Sequence, residues 1–202
     1  MMKERVAKIS AILLGAGESK RMGKDKLSLP WGRKTLLESC LSSLLKSDVS
    51  EVIVVLNSRM PRLTKRRKEA RIKVVVNPRY REGMSTSIRR GLQVVDSRSE
   101  GVLIALGDQP QLRTRTINRL IRAFGLGKGK IVIPFFQKKM GHPVIFPRQY
   151  RGQLKRLKGD VGGRSIIDKH PQEVMKVRVR SEGVIRDIDT RKDYGRELKR
   201  RV

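Results

Sequence analysis

The stretch Leu14–Lys26, LGAGESKRMGKDK, contains three glycines and four basic residues and directly follows the apolar run Ile9–Leu14. A buried strand that ends in a glycine-rich turn is typical of parallel α/β sheets, in which ligands collect beyond the carboxyl ends of the strands. Glycines at such a turn let backbone N–H groups approach phosphate oxygens closely. The stretch therefore predicts a phosphate-binding loop after the first strand of an α/β fold.

Apolar runs and amphipathic stretches alternate through residue 136, which predicts βαβ units and a sheet covered on both faces. We expect a three-layer αβα, Rossmann-like architecture with a mostly parallel, twisted sheet. Besides Ile9–Leu14, the predicted strands are Val52–Leu56, Ile72–Val76, Val102–Leu106 and Lys130–Pro134. The predicted helices are Thr35–Leu45, Arg62–Ala70, Ser85–Val95 and Thr114–Phe124.

The last third of the chain has a different pattern. Phe135–Phe146 predicts a small antiparallel hairpin with its turn near Lys138–Gly141. The stretches after it predict two helices, Arg148–Leu157 and Arg191–Leu198, and two strands, Val174–Val179 and Gly183–Ile188. No low-complexity linker separates this part from the rest, so we expect residues 1–202 to form one domain.

Composition narrows the classes of protein that the chain can represent. Hydrophobic residues make up 38% of the 202 residues, and no apolar run approaches the roughly 20 residues that a membrane helix needs. The charged start and the short apolar stretch Ala11–Leu14 do not resemble a signal peptide, so we expect a cytoplasmic protein. The single cysteine, Cys40, excludes an internal disulfide and a cysteine-built zinc site, and its leucine-rich surroundings predict a core residue rather than a nucleophile.

The formal net charge of +29 predicts attraction to polyanions. Nucleic-acid binding is one interpretation, but basic residues are spread along the whole chain and aromatic residues are only 4% of it, which leaves little material for base stacking. A solvated surface rich in lysine and arginine is the alternative. An acidic protein partner is a further possibility that such a surface leaves open.

Two familiar phosphate motifs do not fit the glycine-rich stretch. A P-loop is excluded because Asp25 follows Gly23-Lys24, and a dinucleotide fingerprint is excluded because Lys20 stands where its third glycine belongs. As a generic glycine loop, the stretch is also compatible with a structural turn that carries solvated basic side chains.

Two later stretches supply candidate carboxylates. Asp108 follows a strongly apolar strand and suits a Mg²⁺ ligand, with a cap for the helix near Arg113 as the alternative. Asp187 and Asp189 would share one face of the predicted strand and attract a cation, although Asp189 also suits a helix cap.

Two further stretches contain candidate ligand groups. Gly83, Ser85 and Ser87 lie at a predicted helix start and would leave open N–H groups, whereas a plain cap at Ser85 needs no ligand. His142 near the hairpin could donate a hydrogen bond to a substrate phosphate, although an isolated histidine is more often structural.

The glycine-rich stretch resembles the signature Leu-x-x-Gly-x-Ser-x-Arg-Met-Gly-x-x-Lys of nucleotidyltransferases with the glycosyltransferase type A fold, here at Leu14, Gly17, Ser19, Arg21, Met22, Gly23 and Lys26. Gly-Asp-x-Pro around Asp108 belongs to the same superfamily. Gly141-His142-Pro143 and the stretch Gly159–Arg164, GDVGGR, are similar to the molybdenum cofactor cytidylyltransferases in particular. The family has the motif Asp-Ile-Asp-Thr-Pro-Glu-Asp near its last helix. This chain matches the first four residues at Asp187–Thr190 but lacks the proline and glutamate, which weakens the helix-start half of the motif.

The resemblance implies transfer of CMP from CTP to the terminal phosphate of molybdopterin, with release of pyrophosphate and with Mg²⁺ as the cofactor. It implies catalytic roles for Lys26, Arg21 and Asp108, metal binding by Asp108 and Asp189, and contact between His142 and the acceptor. The implied nucleotide-binding residues are Leu14, Gly15, Ala16, Gly17, Gly23, Lys26, Gly83, Ser85 and Ser87.

The substrates leave alternatives open. Ala16 agrees with the cytidylyl form of the loop, whereas Gly15 matches neither the cytidylyl nor the guanylyl form, so GTP stays possible beside CTP. The acceptor could instead be a sugar or polyol phosphate. A basic nucleic-acid-binding protein without catalytic activity is the alternative from another class, and an acidic molybdoenzyme or chaperone is a possible receiver of the product.

Overall fold

The first strand lies at the centre of the structure. The computed structural model describes residues 7–18, 22, 25–58, 70–127 and 129–200. Strand β1, Ile9–Gly15, is buried along its whole length. It pairs in parallel with β4, Glu51–Leu56, and with β6, Gly101–Leu106. A strand that is apolar at nearly every position needs cover on both faces, and the helices supply it.

The described residues form an eight-stranded sheet in the order β10-β7-β9-β6-β1-β4-β5, with β8 paired to β7. Strand β9 runs antiparallel to β6 and β7, whereas the other pairs along that order are parallel. The predicted mostly parallel sheet with a small antiparallel region is therefore confirmed. The remaining strands are β5, Ile72–Val76; β7, Ile131–Phe136; β8, Lys139–Met140; β9, Val144–Pro147; and β10, Val174–Arg178.

Helices cover both faces of the sheet, so the predicted three layers are confirmed. Successive residues of β1 contribute to opposite cores: Leu13 packs with α1 and α3, and Ile12 packs with α2, α4 and α5. The helices are α1, Leu36–Leu45; α2, Met84–Leu92; α3, Thr114–Leu126; α4, Arg151–Arg156; α5, Arg164–Lys169; and α6, Arg191–Lys199. The short antiparallel pair β2, Pro30–Trp31, and β3, Lys34–Thr35, packs against α6.

One predicted strand is wrong. Gly183–Ile188 forms a 3₁₀ turn, Glu182–Val184, followed by irregular chain. Its apolar residues are buried because Val184 and Ile188 anchor the segment in two different cores. A short segment with buried apolar residues can be an irregular loop as well as a strand, and the sequence pattern alone does not distinguish the two.

Smaller differences concern turns. The hairpin turn lies at Gln137 and Lys138, which both have positive φ angles, 42° and 66°, as two-residue hairpin loops favour. The predicted helix Arg148–Leu157 is split into a 3₁₀ turn, Arg148–Tyr150, and α4. The predicted helix Arg62–Ala70 lies outside the described residues except for Ala70.

Cys40 is a buried core residue, as predicted. Its thiol donates to the Gly107 carbonyl across 3.3 Å, and burial raises the pKa of the thiol. Among the described helices, none combines the length and the apolar character that crossing a membrane requires.

A buried carboxylate, Glu51, joins several segments at the edge of the sheet where the parallel strands begin. Glu51 is 8% exposed and accepts hydrogen bonds from the Ser10 hydroxyl at 2.6 Å and the Asp96 N–H at 2.7 Å, with the Lys73 ammonium at 2.7 Å. Burial alone would raise the pKa of Glu51, but these three donors outweigh it and hold the pKa below its ordinary value. The carboxylate therefore stabilises the fold in its ionised form.

We expect Glu51→Gln to lower the free energy of unfolding by about 1 to 3 kcal/mol at pH 7, because a charged acceptor with three donors is lost. The folded-state pKa is depressed, so this contribution is present above the unfolded pKa and is lost as pH falls through the folded-state value. Urea titrations between pH 7 and pH 3 measure it. Glu173→Gln, on an exposed turn, is the matched control, and an equal loss in both variants would contradict the role of the network.

Candidate active site

Three ionised side chains meet at the carboxyl edge of the sheet. The Lys26 ammonium lies 2.8 Å from Asp108 Oδ2 and 2.8 Å from Asp189 Oδ1. Burial lowers the pKa of Lys26, but the two carboxylates outweigh it and raise the pKa above its ordinary value. The lysine is therefore a fixed positive charge between two carboxylates, with only 12% of its side chain exposed.

Asp108 follows β6 directly, where the sheet brings it beside the glycine-rich loop. The Gly107 N–H donates to the Leu14 carbonyl at 2.9 Å, and a Cβ at Gly107 would lie 2.9 Å from the same oxygen. Glycine therefore permits the close approach of the two strand ends. The alternative of a helix cap is wrong, because α3 begins after Arg113, which has no side-chain cap bond.

The second acidic cluster separates into two environments. Asp189 contacts Lys26, whereas Asp187 accepts a hydrogen bond from Gln109 Nε2 at 2.7 Å. Burial, with Asp108 nearby, raises the pKa of Asp187. Because no strand forms here, the expected shared face for the two aspartates does not exist, and Asp189 alone joins Asp108 at Lys26.

Asp189 does not cap the last helix, contrary to the alternative. Thr190 is the N-cap of α6: its hydroxyl accepts the Asp193 N–H at 3.1 Å, and the Asp193 carboxylate accepts the Thr190 N–H at 3.0 Å. This reciprocal pair is a capping box. Asp193 thus gives the helix a firm start although the proline and glutamate of the resembling family are absent.

The carboxylates fit a small divalent cation. Asp108 Oδ1 is buried and has no hydrogen-bond partner among the described residues, so this oxygen is available as a metal ligand, while Oδ2 and Asp189 Oδ1 share the Lys26 ammonium. Within the described ranges, no group of three or more histidine, cysteine, aspartate or glutamate side chains is placed to hold a metal. Mg²⁺ commonly uses one or two protein carboxylates and completes its shell with phosphate oxygens and water, so two are sufficient.

The first four residues of the glycine-rich stretch, Leu14–Gly17, differ in exposure. Leu14, Gly15 and Ala16 are buried, and a Cβ at Gly15 would lie 3.2 Å from Leu56 Cδ2, so positions 15 and 16 face the core. Gly17 is exposed, and nothing lies within 4 Å of a Cβ built there. Two predicted loop residues, Arg21 and Gly23, lie outside the described residues.

Two asparagines that the sequence motifs did not indicate hold the glycine loop and the start of α2. We refer to the space between these two segments as the nucleotide cleft. Asn57 follows β4, and its Nδ2 donates to the carbonyls of Ala16 and Gly17 at 3.4 and 3.3 Å. Asn77 follows β5, and its Nδ2 donates to the hydroxyls of Thr86 and Ser87 at 2.8 and 2.9 Å. An asparagine directly after an apolar strand, twice in succession, is the signal that would have found them.

The start of α2 differs from the expectation. Gly83 is the N-cap, with φ 106°, and Ser85 is the second helical residue, so the plain serine cap is wrong. The N–H groups of Met84 and Ser85 are not open, because Asp160 Oδ1 and the Gly159 carbonyl accept them at 3.1 and 3.2 Å. The Ser85 hydroxyl is fully buried without a hydrogen-bond partner in the described part of the chain.

His142 lies close enough to Asp108 for the two to interact electrostatically. Burial lowers the pKa of the imidazole and Asp108 opposes this only in part, so the ring is neutral at pH 7. The backbone N–H of His142 donates to the Val184 carbonyl at 2.8 Å. A Cβ at Gly141 would lie 2.1 Å from that oxygen, so glycine is needed at position 141. A neutral imidazole offers one hydrogen-bond donor and one acceptor at the edge of the cleft.

The glycine loop, the lysine and the aspartate at the carboxyl edge of a mostly parallel sheet are the arrangement expected of a nucleotide-binding α/β protein, and the family match identifies the class as nucleotidyltransferase. The chain belongs to the family of the MobA-like NTP transferase domain, whose model matches residues 11–174. This bears out the superfamily that the sequence motifs indicated.

Individual relatives agree over nearly the full chain. The molybdenum cofactor cytidylyltransferase of Escherichia coli is 27% identical over 189 residues, which cover 92% of this chain and 93% of that protein. The nicotine blue oxidoreductase of Paenarthrobacter nicotinovorans is 27% identical over 190 residues, with 90% and 92% covered. The Rv0371c protein of Mycobacterium tuberculosis has a TM-score of 0.84 at 29% identity, with 96% and 99% covered, and its complex with manganese has a TM-score of 0.79.

We expect Asn57→Ala to weaken nucleoside triphosphate binding by about tenfold, because the loop carbonyls at Ala16 and Gly17 lose their tether. Isothermal titration calorimetry with each triphosphate measures the change. Asn118→Ala, which removes a similar bond to the Asp48 N–H on the surface, is the matched control. Equal affinities of the Asn57 variant and the wild type would rule out a tethering role.

Proposed function

We propose that this nucleotidyltransferase transfers CMP from CTP to a pterin phosphate, the molybdenum cofactor precursor, with release of pyrophosphate. The observation that carries the proposal is the Lys26 ammonium held between Asp108 and Asp189, in a stretch whose Gly17 is exposed and open around its Cα. That arrangement suits a substrate with several phosphates. The activity of the Escherichia coli relative, a molybdenum cofactor cytidylyltransferase, supports the choice of nucleotide and acceptor.

Charge neutralisation is the main task of such a site. Transfer of a nucleotidyl group needs in-line positioning and stabilisation of the charge on the leaving pyrophosphate. Lys26 is positioned to exchange its contacts with the two aspartates for contacts with the triphosphate, and Arg21 would add a second positive charge. Backbone N–H groups of the loop around Gly15–Gly17 would donate hydrogen bonds to phosphate oxygens, as glycine-rich turns permit.

Asp108 and Asp189 would hold Mg²⁺. The buried, unpartnered Oδ1 of Asp108 supports this assignment, as does the manganese complex of the mycobacterial relative. The ion would supply charge compensation on the triphosphate oxygens. The two carboxylates would then be neutralised by the cation instead of by Lys26.

No general base is needed, because a phosphate monoester is mostly ionised at neutral pH, with a second pKa of about 6. The neutral His142 imidazole would donate one hydrogen bond to the acceptor phosphate and thereby orient it. Gly83, Ser85 and Ser87 would lie near the nucleoside, as the family resemblance implies, and the Arg81–Glu18 ion pair supports this because it joins the segment before α2 to the glycine loop at 3.3 Å.

A guanylyl or a sugar- or polyol-phosphate transferase of the same fold would use the same phosphate site. Positions 15 and 16 face the core, so a difference in base preference between family members would act there through packing and not through direct contact with the base. The choice of CTP and a pterin phosphate as substrates is based on the similarity to the Escherichia coli cytidylyltransferase, whereas the choice of a reaction at a phosphate is based on the Lys26 site. The redox activity named for the Paenarthrobacter relative has no such support from the Lys26 cluster, which suits phosphate chemistry.

Nucleic-acid binding is disfavoured as the main function, because basic residues are spread along the whole chain and aromatic residues, which stack on bases, are only 4% of it. Some arginines are also engaged in ion pairs. Glu197, which is 1% exposed, lies within salt-bridge distance of Arg186, Arg196 and Arg200. The proposed reaction places the protein in the cytoplasm, where CTP is available. The remaining basic surface would suit an acidic molybdoenzyme or chaperone that receives the product.

We expect CTP with Mg²⁺ to raise the melting temperature more than GTP, ATP or UTP do, because a ligand that binds only the folded state stabilises it. A thermal-shift panel of the four nucleotides measures this. Stabilisation by none of the four would sink the transferase proposal, and a preference for GTP would replace the cytidylyl assignment with the guanylyl one.

We expect Asp108→Asn and Lys26→Ala each to lower pyrophosphate release from CTP and the pterin phosphate by at least about 100-fold, since each removes charge that the transition state needs. Circular dichroism and melting temperature check that the fold is intact. Asp48→Asn and Lys155→Ala, both exposed, are the matched controls. Full turnover in either site variant would overturn the assigned roles.

A further inference from the structure

The stretch Gly159–Arg164, GDVGGR, has no role in the site described above, yet its first two residues contact a wall of the cleft. It joins α4 to α5. The Ser85 N–H donates to the Gly159 carbonyl at 3.2 Å, and the Met84 N–H donates to Asp160 Oδ1 at 3.1 Å. Asp160 thus caps a helix that begins 76 residues earlier in the chain.

The contact is a close one between two backbones. A Cβ at Gly83 would lie 2.3 Å from the Gly159 carbonyl carbon and 2.4 Å from the Asp160 nitrogen, so a side chain at Gly83 cannot be accommodated without moving the stretch. Gly83 also has φ 106° and Gly159 has φ 67°, which glycine adopts without strain. Gly162 permits a further approach, because its Cβ would lie 3.1 Å from Met84 Sδ.

Helix α2 depends on this external cap. The first N–H groups of a helix have no partner within it, and the N-cap residue usually supplies one through its side chain. Here the N-cap is Gly83, which has no side chain, and no side-chain cap bond comes from it. The Asp160 carboxylate supplies the missing acceptor, and its negative charge also interacts favourably with the positive end of the helix dipole.

The first turn of α2 forms the wall opposite the glycine loop. Arg81, just before it, forms an ion pair with Glu18 of the loop at 3.3 Å. Asn77 fixes the side chains of Thr86 and Ser87, and the buried Ser85 hydroxyl has no hydrogen-bond partner in the described structure. A shift of this turn would therefore move the segment whose Arg81 contacts the glycine loop.

We infer that Asp160 is a positioning residue for the nucleotide: its carboxylate, together with the Gly159 carbonyl, fixes the first turn of α2 and with it one wall of the nucleotide cleft. This inference rests on the proposed function. Asp160 is exposed and touches the helix N–H, not the reacting atoms, so its effect falls on binding and not on the chemical step.

Three variants test the inference. Asp160→Ala removes the cap and is expected to raise KM for the nucleotide about fivefold to tenfold while kcat stays within about twofold, since a lost cap costs roughly 1 kcal/mol or more. Asp160→Asn keeps a side-chain oxygen for the Met84 N–H and is expected to stay within about twofold of the wild type. Asp168→Ala, which removes an exposed carboxylate paired with Arg164 nearby, is the matched control and is expected to change neither constant.

An unchanged KM in Asp160→Ala overturns the inference, and so does an equal loss in Asp160→Asn, because the charge and not the cap would then matter. A fall in kcat alone also overturns it. Hydrogen–deuterium exchange of Met84 and Ser85 is expected to be about fivefold faster in Asp160→Ala than in wild type, without nucleotide.

The exchange measurement also separates this inference from the proposed function. A wild-type protein that binds no nucleoside triphosphate contradicts the proposed function, and the inference about the nucleotide falls with it even if the amides respond. The inference alone is contradicted if the wild-type protein binds triphosphate and the Asp160→Ala variant has the same amide exchange rates and the same nucleotide affinity as the wild type.

Discussion

The Lys26 ammonium between Asp108 and Asp189 is the interaction around which the carboxyl edge of the sheet is arranged. The three groups come from the glycine-rich loop, the end of β6 and the segment before α6, and each ion pair is 2.8 Å long. Two neighbouring carboxylates repel each other, so a cation between them is needed for the edge to hold its shape. A divalent ion bound by the two carboxylates would relieve the same repulsion, and the Lys26 ammonium could then contact a phosphate instead.

Around this cluster, main-chain positions are set by side chains that do not themselves reach a substrate. Asn57 tethers the loop, Asn77 holds the start of α2, and Asp160 caps that helix from a distant segment. Glycines at positions 83, 107 and 141 let backbones approach to distances that a Cβ would prevent. The cleft is thus built mainly from backbone and short polar side chains, which suits recognition of phosphate and ribose oxygens.

Some of the basic residues have a structural role. Glu197, almost completely buried, is surrounded by Arg186, Arg196 and Arg200, and this group joins the last helix to the turn at Glu182. Such a network also secures the segment that carries Asp189, since α6 begins directly after it. Part of the basic surface therefore supports the site mechanically instead of binding an external polyanion.

The sequence by itself determined the order of strands and helices, the glycine-rich loop and the position of Asp108 at a strand end, because hydrophobic period and turn chemistry are local properties. It failed at Gly183–Ile188, where the buried apolar residues belong to an irregular loop and not to a strand. Only the tertiary structure decided that Lys26 meets Asp108 and Asp189, 82 and 163 residues away, and that Asp160 caps α2. Such contacts depend on the sheet bringing distant strand ends to one edge, which no local pattern in the chain specifies.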